Sequence, residues 1–245
     1  MEQEQIPVDD VSNSDKPQSH TGLSLRLGLA LLALVVVGGL VFQFTQGQIS
    51  SSPAQSAPQP TATVSEALAG PLATAQANPN SADAQFELGN ALYQQGQMAP
   101  AIEAYKAAIE LDPQYTAAYA NLGVTYYQMQ EFELAARQYE KALELNPNDG
   151  DVAYNLGALY LQQALSAAEQ PDTALLNQSV EQLEQARQLS PELAEPYFTL
   201  GVAYLAMNQP AQARESFETF LSLGAGQDAR AKQEAERYLD MLNQQ

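Results

Sequence analysis

Apolar and small residues recur along the second half of the chain at intervals of three, four and seven. Tyr119, Leu122, Gly123 and Tyr126 form one such stripe, and Ala135, Tyr139 and Ala142 form the next. Spacing of this kind puts the apolar positions on one face of a helix, so each pair of stripes predicts two amphipathic helices facing each other. Pro147 closes the second helix, because it lacks the amide proton that a helix interior requires. The pattern then returns. Gly89, Gly123 and Gly157 lie 34 residues apart, as do Pro79, Pro113 and Pro147. The next pair, Pro191 and Gly201, is displaced by 44, yet the step from proline to glycine is 10 in all four units. A fixed period of this length with two helices per unit predicts a helical solenoid whose third unit carries ten extra residues.

These residues resemble the tetratricopeptide repeat family. The first unit matches with Leu88, Gly89, Leu92, Ala101, Tyr105, Ala108 and Pro113, with Gln85 in place of an aromatic. The second matches throughout, from Tyr119 to Pro147. The third gives Leu156, Gly157, Tyr160, Leu183, Ala186 and Pro191. The fourth gives Tyr197, Leu200, Gly201, Tyr204, Ala213 and Phe217, then departs with Phe220 and Ala225. The resemblance implies an all-α solenoid of four repeats over residues 81–226.

A solenoid's end units expose apolar faces unless something caps them. Residues 64–80 read as a half repeat covering the first face, and residues 227–245 as a C-terminal capping helix. The latter carries Ala231, Ala235, Tyr238, Leu239 and Leu242 on one side, with Asp228 as its N-cap. In the insertion, Pro171-Asp172 reads as a turn with Asp172 as an N-cap. Both helices of the third unit would then extend by about five residues, roughly 7 Å. Either the extra length is a tolerated variant or the tip is gripped by a partner.

A different pattern precedes the repeats. From Leu27 to Phe44 run 18 residues without a charge, rich in Leu and Val. As a helix they would span about 27 Å, close to the hydrocarbon thickness of a bilayer. Ser50-x-Ser52 is a poor cleavage site, so residues 23–44 read as an uncleaved transmembrane helix. Residues 1–22 read as a disordered tail, and residues 45–63, rich in Ser, Pro and Gln, as a linker. Lys16 and Arg26 precede the apolar run, and no further cation appears before Lys106. That asymmetry places the N-terminus inside a bacterial cytoplasmic membrane and the repeats outside the cytoplasm.

Composition removes several classes of function. Ten Lys+Arg face 29 Asp+Glu, a net charge of −19, so nucleic acid would be repelled. There is no cysteine, and the single histidine is His20. No nucleophile-base set, phosphate loop or cofactor motif can be assembled from this inventory. Glu131/Glu133 and Asp149/Asp151 read as solvated loop carboxylates, not metal ligands. The expectation is a binding protein, not an enzyme, with no cofactor.

In the tetratricopeptide family the first helix of each repeat lines a concave groove. Carried onto this chain, the resemblance implies groove candidates Phe86, Asn90, Tyr93, Asn121, Tyr127, Tyr154, Asn155 and Phe198. This second apolar stripe is open to two readings. It is a ligand surface, or it is buried between adjacent first helices and by the C-terminal helix. The family's carboxylate clamp would match Asn90 and Asn121, but Phe86, Asp151 and Asn155 stand where its cations belong. The implied partners are protein or peptide segments, neutral to basic, with apolar anchors. The implied role is a membrane-anchored scaffold or adaptor. Two alternatives are an assembly factor resembling the tetratricopeptide subunits of cytochrome c maturation, and a structural envelope-assembly component.

Overall fold

The computed structural model describes residues 64–166, 170–224 and 229–244. All regular elements among them are helices: α1 (Val64–Ala77), α2 (Ala82–Gln94), α3 (Met98–Leu111), α4 (Thr116–Gln128), α5 (Phe132–Leu145), α6 (Gly150–Leu165), α7 (Thr173–Leu189), α8 (Glu195–Ala206), α9 (Pro210–Ser222) and α10 (Ala229–Asn243). Four hairpins, α2/α3, α4/α5, α6/α7 and α8/α9, stack in chain order, with α1 before them and α10 after. The expected transmembrane helix, tail and linker fall outside the described residues. Among the described residues no helix is long and apolar enough to cross a membrane.

Each hairpin closes at one point. A Cβ added to Gly123 would stand 2.7 Å from the Tyr139 ring, and one added to Gly89 would stand 2.6 Å from Tyr105. The ring of the second helix therefore lies where a side chain on the first would be. Around that contact the Ala residues at 101, 108, 135 and 142 are wholly buried. Gly201 accommodates Phe217 in the same way, whereas Gly157 accommodates Leu183.

The turns between paired helices reuse one backbone device. Gly96, Gln130 and Asn208 occupy equivalent positions, with φ of 72°, 62° and 58°. Glycine adopts that left-handed conformation freely and asparagine at modest cost, but glutamine does so under strain. Helix starts are fixed by side-chain caps: Ser81 Oγ accepts from Ala84 N, and Asp149 Oδ1 from Val152 N.

The insertion is distributed differently from the sequence expectation. α6 has 16 residues against 13 in α4, and α7 has 17 against 14 in α5, so each helix gains three residues, not five. The remainder goes into the connection, because Asp172 Oδ1 accepts from Ala174 N and Leu175 N and starts α7 there. At the far end α10 buries Ala231, Ala235, Tyr238 and Leu242, and Tyr238 stacks on Phe217 at 5.0 Å. Arg214 Nη2 donates to Leu242 O at 2.9 Å, tying the end of α10 to α9. The proposed N-cap Asp228 lies outside the described residues.

Two substitutions test this account by thermal unfolding. Gly123→Ala should cost about 1–3 kcal/mol, since the Tyr139 ring has to move within a packed core. Gln130→Gly should gain up to about 1 kcal/mol by relieving the left-handed residue. An unchanged midpoint for Gly123→Ala would show that the close approach is not a constraint.

Candidate functional site

The first helices α2, α4, α6 and α8 form one continuous face, joined by side-chain hydrogen bonds between neighbours. Asn121 Nδ2 on α4 donates to Asn90 Oδ1 on α2 at 2.8 Å, and Tyr105 Oη on α3 donates to the same oxygen at 2.9 Å. One asparagine oxygen thus ties three helices together. Tyr127 Oη on α4 donates to Gln162 Oε1 on α6 at 2.6 Å. Burial pushes the Tyr127 hydroxyl up to about 12.

The eight groove candidates divide into three accessible residues and five buried ones. Phe86, Asn90 and Asn121 are half-buried and remain accessible from this face. The Phe86 ring lies 4.9 Å from Tyr115 and 5.9 Å from Tyr105. Tyr93 and Tyr127 are buried at 5% and 8% exposure. The remaining three follow the second reading of the stripe, burial between helices: Tyr154, Asn155 and Phe198 are exposed by 1%, 2% and 0%. Tyr154 lies against α8, with its hydroxyl near Thr199. Phe198 is enclosed by Phe217, Phe220 and Tyr238, with centroids at 5.7, 5.1 and 6.5 Å. The capping helix and the contact between α6 and α8 therefore convert half of the stripe into core. The accessible part of the face is at Phe86, Asn90 and Asn121, on the N-terminal and middle turns of α2 and α4.

The asparagine junction is not repeated at the next interface. Val124 occupies the position equivalent to Asn90, Tyr139 that of Tyr105, and Asn155 that of Asn121. Valine offers no acceptor, so the Tyr139 hydroxyl is buried without a partner; Asn155 Oδ1 is buried without one as well. Loss of the shared acceptor strands the tyrosine that would donate to it.

The second helices carry a pairing the sequence reading missed. Tyr160 Oη donates to Glu140 Oε1, and Tyr204 Oη donates to Glu184 Oε1. Both pairs span 20 residues and link successive hairpins. At the same offset Lys106 stands beside the Tyr126 hydroxyl. The constant offset is visible in the sequence, but only the superhelical stacking says that these positions meet.

A stacked array of helical hairpins with glycine-aromatic closures and a hydrogen-bonded first-helix face defines a repeat-solenoid protein. The chain carries tetratricopeptide repeats. Four family models match it, a TPR repeat over residues 89–130 and tetratricopeptide repeats over 116–149, 138–188 and 194–223. Among solved structures the chain is similar to one titled "Crystal structure of MamA", at 22% identity and TM-score 0.59 over 67% of this chain and 90% of that one. It is also similar to MamA 41-end from Desulfovibrio magneticus RS-1, at 19% identity and TM-score 0.58 over 80% and 98%. These likenesses concern the fold. No curated protein matches the chain.

Satisfying or removing the stranded hydroxyl should stabilise the domain. Val124→Asn should give the Tyr139 hydroxyl an acceptor, and Tyr139→Phe should raise stability by about 1 kcal/mol by removing an unpaired buried hydroxyl. A pH scan gives a second check. Burial raises Tyr127 and Tyr238 to about 12, so the folded chain keeps protons that the unfolded chain releases near pH 10. That stabilisation is complete below pH 10 and is lost as pH rises through 12. The melting temperature should fall across this window together with tyrosinate absorbance. Ionisation of these tyrosines without unfolding would contradict their burial.

Proposed function

We propose that the chain is a non-enzymatic scaffold that binds protein segments on the α2–α4 part of its first-helix face. The observation that carries this reading is the split of that face. Phe86, Asn90 and Asn121 stay accessible on α2 and α4, whereas the equivalent surface of α6 and α8 is closed. A half-exposed aromatic beside polar amides offers rigid contact area and hydrogen bonds to a docked segment. The rim is acidic: Asp83 and Glu87 on α2 are exposed. From residue 45 onward 8 Lys+Arg stand against 24 Asp+Glu, which speeds the approach of neutral-to-basic segments and repels acidic ones.

Tethering belongs to the same proposal. The uncharged run Leu27–Phe44 and the preceding Lys16 and Arg26 support a membrane anchor with the repeats outside the cytoplasm. A narrower form, an assembly factor presenting apoprotein by its C-terminus, requires a site for a free carboxylate. Asn90 and Asn121 already satisfy each other, and Asp151 stands where a cation would have to. That form is accordingly disfavoured against a scaffold gripping internal segments. A structural envelope component would instead assemble with itself and show no segment preference.

Two experiments test the proposal. A reporter fused after Gln245 should be active only outside the cytoplasm, and cytoplasmic activity would overturn the orientation. A photo-crosslinker placed at Asp83 or Ala117 in the full chain, in its own membrane, should capture a protein partner that one placed at Glu218 does not. Phe86→Ala should reduce that crosslink several-fold while helicity is retained, corresponding to about 1–3 kcal/mol. Equal capture from both faces would contradict the assignment.

A further inference from the structure

The opposite side of the solenoid contains a cavity of 380 Å³ between α5, α6 and α7. Its floor is apolar, made by Leu143, Leu156 and the Tyr160 ring. Its polar lining includes the carboxylates of Glu140 and Glu181 and the amide of Gln182. Gln182 Oε1 is buried and has no hydrogen-bond partner, so an acceptor faces this site unsatisfied.

The equivalent places in the neighbouring hairpins show what is missing. In the first hairpin the position of Glu140 is held by Lys106, whose ammonium stands beside the Tyr126 hydroxyl. In the third it is Glu184, which bonds Tyr204 and is neutralised by Arg187 at 2.5 Å. The chain thus supplies its own cation beside the tyrosine on both sides. In the second hairpin Glu140 bonds Tyr160, but Leu143 occupies the position of Arg187. The nearby Lys141 is engaged by Glu144 at 2.8 Å. Among the described residues no cation pairs with Glu140 or Glu181.

We propose that this cavity seats an arginine or lysine side chain of a partner protein. The aliphatic stem lies on Leu143, Leu156 and the Tyr160 ring, and the cationic head reaches Glu140, Glu181 and Gln182 Oε1. Long cationic side chains bury their stems on apolar surface while the head keeps polar partners. A planar guanidinium meets a carboxylate with two parallel hydrogen bonds and stacks on an aromatic face, which favours arginine. The site lies away from the first-helix face, so it would add a second contact for a partner or hold a different one.

The test uses the full chain and the peptide acetyl-Gly-Arg-Gly-Arg-Gly-amide, with its citrulline counterpart as the neutral isostere, followed by saturation-transfer NMR. The arginine peptide should bind at least about five-fold more tightly than the citrulline peptide. Glu140→Gln combined with Glu181→Gln should weaken it by about five-fold. Glu110→Gln combined with Glu218→Gln removes the same charge from exposed sites on α3 and α9 and should leave binding unchanged. Leu143→Arg places a cation where the third hairpin has Arg187 and should abolish binding with helicity intact. No binding at millimolar peptide, equal loss in both double variants, or unaltered binding to Leu143→Arg would each overturn the proposal. None of these outcomes depends on Phe86, Asn90 or Asn121, so the first-helix face is judged separately.

Discussion

The structure depends on a missing Cβ. At Gly89, Gly123 and Gly201 the aromatic ring of the paired helix occupies the space that a side chain would take, within 2.7 Å of its ideal Cβ. Close approach lets each hairpin form one dense contact, and the alanines around it keep the helix axes together. Because every unit closes at the same height, successive units stack with the same offset. The tyrosine-glutamate links from Tyr160 to Glu140 and from Tyr204 to Glu184 follow from that regular stacking. Where Leu183 replaces the ring beside Gly157, the unit is also the one with the longer helices.

The hairpin core was legible in the sequence because its contacts are local. Gly123 and Tyr139 are 16 residues apart, and helical periodicity alone puts them on facing stripes. The fate of the second stripe was not legible. Phe86 and Phe198 occupy equivalent positions in their repeats, yet one is half-buried and the other is closed. The difference lies in Phe220, which stands where the first repeat has Ala108, and in Tyr238, 40 residues beyond Phe198, which α10 lays over Phe198 and Phe217. Tyr154 likewise depends on Thr199 from the next hairpin. A one-dimensional period states which residues share a helix face, but not what comes to rest on that face. The insertion was misjudged for a similar reason. Asp172 was readable as an N-cap, whereas the division of ten residues between two helices and a connection was not.

Polar side chains decide where this otherwise uniform array differs from unit to unit. Asn90 joins α2, α3 and α4 through one oxygen, and Val124 at the equivalent place leaves the Tyr139 hydroxyl unsatisfied. On the other side, Arg187 fills the position that Leu143 leaves without a charge, and Glu140 stands where the first hairpin has Lys106. Both irregularities fall at the junction of the second and third hairpins. In a repeat array such departures from the local rule are where specificity is expected to reside, because the uniform positions are committed to packing.

The first-helix face is accessible at Phe86, Asn90 and Asn121 on α2 and α4, and closed at the equivalent positions of α6 and α8. The chain contains no cysteine, so a single introduced thiol reports its own surroundings. Asn121→Cys on α4 and Asn155→Cys on α6, at equivalent positions, can be compared by the rate of thiol alkylation under native conditions. Asn121 is half-buried and Asn155 is 2% exposed. Fast labelling is expected at position 121, and labelling at position 155 only through unfolding, about a hundred-fold slower or more. Equal rates at the two positions would contradict that closure.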